Sequence, residues 1–388
     1  MPLSRFPRSE PFPLNNLALI IKKKAEILSL FTNLFLIIGL ILLSRSAVSR
    51  PGLEEVAVFH QGIGQNVSQV LPSFDRQEDE ENYYLTYGWA DFSGHSHDLS
   101  FPLPKNVLNE AEKEYGYFPA DLKKHMDDSL ELSREKMIKG LREFVEELIR
   151  KSKYPEYIHI EDVTTKSFNL KLSVPPPLQK KVKREFDKIK VKLAKEQEKY
   201  LKLVEKEQDE ERTRFFEGRG IRVFDGTIGV NHSICVTRNK DRIRPIFEIL
   251  KKKHSQLSLH QFLGLLLAFI QDVRYYIPPL QESGKTILSF WVPPRVLADN
   301  FGDCDSKGVT FASFWTNFKK YPILLITVPN HFFVGLAIPS FTGEGLVVNG
   351  VRYTLCEVTG PGKMPPGMIS RYSQACLQNG QYVYEIVD

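Results

Sequence analysis

The stretch NFGDCDSKGVTF, residues 300–311, decides the predicted fold of this sequence. It starts as a loop containing Gly302, which permits a tight turn, and continues into an apolar helical pattern. Asp303 is placed to cap that helix by accepting a hydrogen bond from its first turn. Cys304 would then lie at the helix N-terminus, where the helix dipole stabilises a thiolate. We therefore predict a reactive cysteine at the start of a buried helix.

Aromatic residues after the cysteine have the spacing of one helix face. They are Phe311, Phe314, Trp315 and Phe318. Aromatic side chains at three- and four-residue steps are typical of a core-facing stripe. We therefore interpret them as packing residues and not as a cofactor site.

Downstream of the helix, the sequence predicts an antiparallel sheet that carries a histidine and a carboxylate. The predicted strands are residues 323–328, 332–338 and 351–358. If the last two form a hairpin centred near residue 344, His331 faces Glu357. Directly opposed residues have Cβ atoms about 5 Å apart, so the carboxylate can hold the imidazole in one tautomer.

Cys304, His331 and Glu357 together have the chemistry of an acyl-transfer triad. The histidine takes the thiol proton and later protonates the leaving group, and the glutamate orients the histidine. A purely structural role is the alternative for the cysteine and for the histidine. A lone cysteine among aromatic residues is usually buried and inert, and a strand histidine is usually a core residue.

Five segments, in sequence order, carry a family resemblance. They are residues 269–276, 291–297, 302–307, 329–331 and 353–359. The third, GDCDSK, resembles the GDCxxK-type nucleophile motif of prokaryotic transglutaminase-like proteins, whose core is related to papain. The others resemble the helix before the nucleophile, its approach loop, the histidine strand and the acidic strand of that family. The resemblance covers about residues 255–365.

The resemblance implies an α+β fold with a papain-like core, in which the nucleophile helix packs on an antiparallel sheet. It implies a thiol enzyme that performs acyl transfer on protein or peptide substrates through Cys304, His331 and Glu357, as a protease, an amidase or a protein-glutamine transglutaminase. The sequence departs from the family at Ser306, where many members have an acid, and at Glu357, where many have aspartate. The alternative is a catalytically inactive transglutaminase-like binding or scaffold protein.

The same resemblance implies further site residues. Gln271 is the candidate oxyanion donor, acting with the backbone N–H of Cys304, and a buried structural amide is the alternative. Some calcium-dependent relatives use acids beside the cysteine, so Asp303 and Asp305 are the candidate calcium ligands. Capping and loop hydrogen bonds explain these two carboxylates equally well. No other cofactor is expected.

Upstream of this core, the sequence divides into further predicted segments. They are a cytoplasmic basic tail (1–26), a transmembrane anchor (27–43), a β-rich extracytoplasmic segment (51–120) and a helical hairpin (121–216), followed by the catalytic domain (217–388). Apolar residues of the hairpin recur at four- and three-residue steps between Val182 and Leu203, which is a coiled-coil-like seam. Packing between the two helices and self-association through residues 178–215 are the alternatives. Strands are also predicted at 221–224 and 233–237.

The apolar run from Ile27 to Leu43 contains no charged residue and is within the length range of a membrane span. Three lysines at residues 22–24 precede it, and the larger positive count on that side predicts a cytoplasmic N-terminus. The protein would then be a single-pass protein of the cell membrane with an extracytoplasmic C-terminal domain. A cleaved signal peptide is the alternative.

The charge distribution excludes one class of partner. The net charge of +5 is confined to the first 50 residues, and basic and acidic residues are equal in number after them. A basic surface for nucleic acid is therefore not supported, and no nucleic-acid partner is predicted.

Four cysteines do not make a disulfide framework in 388 residues. If a pair forms outside the cytosol, Cys356 and Cys376 are the candidates.

Overall fold

A computed structural model describes residues 72–163, 168–224, 226–318, 321–339, 342–360 and 362–387. The described residues belong to two compact units. One is Lys124–Arg212, here named the hairpin unit. The other combines the described parts of Ile63–Lys123 and Thr213–Asp388 and is named the site unit.

The helices and strands follow one another in mixed order along the described residues. The helices are α1 (Lys105–Glu114), α2 (Pro119–Arg150), α3 (Gln179–Glu217), α4 (His232–Lys253), α5 (Leu259–Asp272), α6 (Pro293–Asp299), α7 (Cys304–Trp315) and α8 (Arg371–Gln378). The strands are β1 (Ser73–Glu78), β2 (Asn82–Ala90), β3 (Ser96–Pro104), β4 (Ile158–Val163), β5 (Phe168–Leu172), β6 (Ile221–Phe224), β7 (Thr227–Val230), β8 (Arg274–Tyr275), β9 (Gln281–Glu282), β10 (Lys285–Thr286), β11 (Phe301–Gly302), β12 (Ile323–Val328), β13 (His331–Leu336), β14 (Gly345–Val348), β15 (Val351–Cys356) and β16 (Val383–Val387).

The hairpin unit contains most of α2 and α3, with the antiparallel pair β4–β5 between them in the chain. Its core is an apolar seam made of Leu141, Val145, Ile158, Val182, Phe186, Ile189 and Leu193. The first part of the predicted coiled-coil-like seam is therefore buried within the unit. Leu203, at the end of the predicted seam, is exposed. Self-association through residues 178–215 stays a prediction.

The central sheet of the site unit is antiparallel and has the strand order β14-β15-β13-β12-β16. One face contributes to a large core that also contains buried residues of α4, α5 and α7. The other face contributes to a smaller cluster that contains Cys376 of α8. The predicted mixed α+β class with an antiparallel sheet is confirmed.

Helix α7 lies directly against this sheet because Gly308 has no side chain. The Phe332 ring of β13 occupies the space where a Cβ atom of Gly308 would lie. Phe311, Phe314 and Trp315 on α7 are fully buried, as the sequence predicts. The contact at Gly308 holds the helix that begins at Cys304 next to the strand that carries the candidate histidine.

A second antiparallel sheet, β1-β2-β3, shares the core of the site unit. Alternate residues of β2 and β3 are buried, because side chains of a strand point to opposite faces. Tyr87 and Trp89 contact Phe269 of α5 with ring centroids 5.1 and 4.9 Å apart. The predicted β-rich segment and the predicted catalytic domain therefore have one common core.

Two local predictions are wrong. Residues 233–237 were expected to form a strand and lie in α4, because the Asn231 side chain accepts a hydrogen bond from the Ile234 backbone and caps a helix there. Cys356 and Cys376 are free thiols. They belong to separate hydrophobic clusters on the two faces of the central sheet, so they are not placed to form a bond.

The predicted membrane anchor, residues 27–43, lies outside the described residues. Among the helices that the structure describes, none is both long and apolar enough to cross a membrane. The single-pass topology stays a prediction.

Candidate active site

Cys304 is the first residue of α7, as the sequence predicts. The preceding helix ends at Asp299, and Asn300 adopts a left-handed conformation with φ of 54° that turns the chain. Asp303 is the N-cap, and its side chain accepts a hydrogen bond from the Ser306 backbone at 3.3 Å. The Cys304 side chain is half-buried, so the thiol lies at the positive end of a capped helix.

His331 and Glu357 are joined by a hydrogen bond of 2.8 Å between Nε2 and Oε2. The other carboxylate oxygen of Glu357 accepts from the Thr359 backbone at 2.9 Å. Glu357 is buried, with 3 % exposure, while His331 remains partly exposed. The carboxylate engages Nε2, and Nδ1 is the ring nitrogen left to act on a thiol.

The register of the sheet differs from the predicted hairpin. Val334 of β13 pairs with Cys356 of β15, and β14 pairs on the far side of β15. This register aligns Phe333, and not His331, with Glu357. The two side chains therefore meet diagonally, a separation that long side chains can span.

Cys304 and His331 lie on adjoining elements, since α7 and β13 contact each other at Gly308. Within the described residues, no hydrogen bond joins the Cys304 sulfur to His331. Burial raises the pKa of the Cys304 thiol well above its usual value, and the charge of Asp305 raises it further. The resting thiol is therefore neutral and needs a base to become a nucleophile.

A second histidine lies beside the cysteine helix, and the sequence did not reveal it. His232, the first residue of α4, lies with Nε2 3.4 Å from Asp305 and Nδ1 3.1 Å from Glu385 of β16. Glu385 also accepts from the Ser233 backbone and pairs with Arg222. These residues join the starts of α4 and α7 to the β16 strand.

The charges of this cluster are mutually stabilised. Burial opposes protonation of His232, but its bonds with Asp305 and Glu385 outweigh burial and raise its pKa. Burial and the charge of Asp305 raise the pKa of Asp303 to about 9. Burial opposes ionisation of Glu385, but His232 outweighs it and lowers the pKa of this carboxyl to about 2. Asp303 is therefore protonated at neutral pH and Glu385 is ionised.

The candidate calcium ligands take part in these contacts. Asp303 bonds Ser306 and Asp305, and Asp305 bonds His232. Across the part of the chain that the structure describes, no group of three or more histidine, cysteine or carboxylate side chains is arranged so that it could hold a metal ion. Calcium binding by Asp303 and Asp305 stays a prediction.

Gln271, the candidate oxyanion donor, has a different role in the structure. Its Nε2 atom donates to the carbonyls of Glu357 and Met364 at 2.7 and 2.9 Å. Both amide hydrogens are thus committed to the backbone, and the predicted role of Gln271 as oxyanion donor is wrong. The alternative, a buried structural amide, fits these contacts.

Lys307 is a second residue whose role the sequence did not reveal. It is fully buried, and its Nζ atom donates to the carbonyls of Gln271 and Val273 at 3.2 and 2.7 Å. Burial lowers the pKa of Lys307 to about 7. Its position in the GDCDSK motif was the available signal, but the acceptors are more than thirty residues away in sequence.

A cavity of about 260 Å³ adjoins the segment that leads to the cysteine helix. Its lining residues include Tyr115, Phe118, Phe290, Trp291 and Arg295. The Trp291 backbone donates to the Ser306 hydroxyl at 3.0 Å, which ties one wall of the cavity to α7. Cys304 does not line the cavity.

Comparisons with known proteins identified no relative of this chain. No protein-family model, curated protein or solved structure matches the chain. The functional interpretation depends on the residues and contacts described above.

Proposed function

We propose that this protein is a thiol enzyme that performs acyl transfer on peptide or carboxamide groups through Cys304, His331 and Glu357. The observation that supports this most is the 2.8 Å bond between His331 and the buried Glu357, on a strand that contacts the cysteine helix. A buried carboxylate on one imidazole nitrogen leaves the other nitrogen free to accept a proton. The papain-like transglutaminase core implied by the motifs is part of this proposal.

The first half-reaction forms a thioester. His331 Nδ1 takes the Cys304 proton while the sulfur attacks the carbonyl carbon. The oxyanion that develops is stabilised by the backbone N–H of Cys304 at the start of α7, which has no acceptor within the helix. His331 then gives its proton to the leaving nitrogen, and the C–N bond breaks to release ammonia or an amine.

The second half-reaction releases the acyl group. His331 takes a proton from water or from an amine as that molecule attacks the thioester. The C–S bond breaks, and the proton returns to the sulfur. Water gives proteolysis or deamidation, and an amine gives a cross-link, so both belong to one proposal.

The decisive test compares Cys304→Ala with Cys376→Ala, a matched change at a buried cysteine on the opposite face of the sheet. The assay uses casein as acyl donor, once with a fluorescent primary amine and once with water alone. We expect the wild-type protein and Cys376→Ala to turn over and Cys304→Ala to be inactive. Turnover that survives in Cys304→Ala overturns the proposal.

A second candidate, a catalytically inactive binding protein with the same fold, has its own observation. The Cys304 thiol is neutral because burial raises its pKa. If the thiol is inert, we expect slow alkylation by iodoacetamide at neutral pH and a thiol pKa at or above that of free cysteine, about 8.5. Selective alkylation of Cys304 that depends on His331 excludes this candidate.

We also propose that residues 27–43 anchor the protein in the membrane with its C-terminal region outside the cytoplasm. The support is the uncharged apolar run and the lysines at 22–24. Protease added to intact cells should degrade the region after residue 50 and spare an N-terminal tag. Full protection of the C-terminal region contradicts this topology.

A further inference from the structure

Lys307 connects the cysteine helix to the end of α5. It lies one helical turn after Cys304, and its ammonium bonds the carbonyls of Gln271 and Val273 at 3.2 and 2.7 Å. The last carbonyls of a helix have no partner within the helix, so the lysine satisfies them. A fully buried ammonium is costly unless it is hydrogen-bonded, and these two bonds fix its direction.

Gln271 connects the end of α5 to the segment that follows β15. Its amide donates to the carbonyls of Glu357 and Met364 and accepts from the Met364 backbone at 3.2 Å. The backbone of Gly360 lies so close to the Gln271 carbonyl that a Cβ atom would have no room. Through Gln271, helix α5 therefore holds the Glu357 backbone in place.

A separate contact ties the same segment to α5. Lys363 donates to the Asp272 carboxylate at 2.6 Å and to the Ala268 carbonyl at 3.2 Å. Contacts therefore hold both ends of the segment from Glu357 to Met364 against the last turn of α5.

We propose that Lys307 and Gln271 are positioning residues that set Glu357, and through it His331, relative to Cys304. The inference rests on the proposed function, because it assigns these residues a purpose in the same triad. The route runs from the cysteine helix through Lys307 to Gln271, and from Gln271 to the backbone of Glu357. Glu357 then bonds His331 at 2.8 Å.

Charge supports the same role. The negative charges of Asp272 and Glu357 favour the protonated form of Lys307, although burial lowers its pKa to about 7. A buried lysine that interacts with both Glu357 and Cys304 adds a positive field where a thiolate forms.

The first experiment measures the His331–Glu357 bond itself. In the full chain labelled with ¹⁵N-histidine, the His331 Nε2–H bonded to Glu357 should give a downfield proton resonance that Glu357→Gln removes. We expect Gln271→Met and Lys307→Met to broaden or remove this resonance. Ser313→Ala is the matched control, because Ser313 is also fully buried on α7 and bonds only the Val309 carbonyl of its own helix.

The second experiment follows alkylation of Cys304 by iodoacetamide as a function of pH. Lys307→Met should slow the reaction at neutral pH about tenfold and move the profile about one unit upward, since one pKa unit is a tenfold change in thiolate. In a Glu357→Gln background, Gln271→Met should add less than about twofold, because its effect passes through Glu357. Ser313→Ala should leave both profiles unchanged.

The two experiments can contradict the positioning role and the proposed function separately. A His331 resonance that persists unchanged in both Gln271→Met and Lys307→Met overturns the positioning role, whatever the reactivity of the thiol. Alkylation of wild-type Cys304 that His331→Asn does not slow overturns the proposed function, whatever the resonance shows. If Lys307→Met does not fold, Gln271→Met alone decides the positioning role.

Discussion

Two histidine–carboxylate pairs adjoin the cysteine helix, and they differ in how many ring nitrogens are engaged. His331 has 19 % side-chain exposure and one carboxylate, Glu357. His232 has 8 % exposure and two carboxylates, Asp305 and Glu385, one on each nitrogen. The first pair leaves a nitrogen to exchange protons, and the second leaves none. Under the proposed function, the same residue types thus act in proton transfer at one position and in stabilising the fold at the other.

The largest expected difference between the pairs is in turnover. His331→Asn should lower turnover of the casein assay by about 10³-fold, because it removes the general base. His232→Asn should lower turnover by less than about tenfold, because it removes no group from the proton path. Equal losses in the two variants would contradict the division of roles.

Stability should show the opposite order. His232→Asn leaves Asp305 buried without its cation and leaves Glu385 with Arg222 alone, so we expect the free energy of unfolding in urea to fall by about 3 kcal/mol. His95→Asn is the control, because His95 pairs with Asp91 at a side-chain exposure of 75 %. An exposed pair of this kind contributes less than about 1 kcal/mol.

The contact between α7 and β13 can be tested without substituting a residue of either pair, although the Phe332 ring packs against His232 with ring centroids 4.8 Å apart. Gly308→Ala forces the Phe332 ring to move, and such overpacking should lower the free energy of unfolding by about 1–3 kcal/mol and reduce turnover. Gly264→Ala in α5 is the matched helical control, since its nearest neighbour is a Phe92 carbon at 3.7 Å. That variant should gain about 0.5–1 kcal/mol. A similar gain in Gly308→Ala would show that the contact is loose.

The smallest expected effect is the pH dependence of the His232 cluster. Its carboxylates raise the pKa of His232 above the usual 6.5. The stabilisation is therefore complete below 6.5 and is lost as the pH rises through the higher folded-state value. Glu385 stays ionised throughout, because its pKa is about 2. The urea midpoint of the wild-type protein should fall over this range, and that of His232→Asn should fall less.

Sequence reasoning succeeded where the signal was local. The cap at Asp303, the aromatic stripe of α7 and the strand at 323–328 depend on residues close in the chain, and all are present. Asp305, however, also has contacts with the distant His232. Those contacts follow from packing and not from local pattern.

The failures involve partners far apart in sequence. Nothing near Gln271 indicates that both amide hydrogens reach the backbone 86 and 93 residues later. The predicted hairpin placed His331 directly opposite Glu357, yet β14 intervenes in the chain and changes the register. Residues 233–237 differ from the prediction because Ile234, Cys235 and Val236 favour strands locally, while the Asn231 side chain caps a helix there.

The link between His232 and Glu385, which joins residues 153 positions apart, has a consequence for synthesis. A ribosome delivers the chain from its N-terminus, and domains fold as units once their parts have emerged. Helix α4 and the cysteine helix are both made before β16, so the second carboxylate of the His232 cluster is the last of its groups to be synthesised. Arrival of β16 completes the cluster and also supplies the strand that pairs with β12. The ion pair between His232 and Glu385 beside the cysteine helix can therefore form only after β16 has been synthesised.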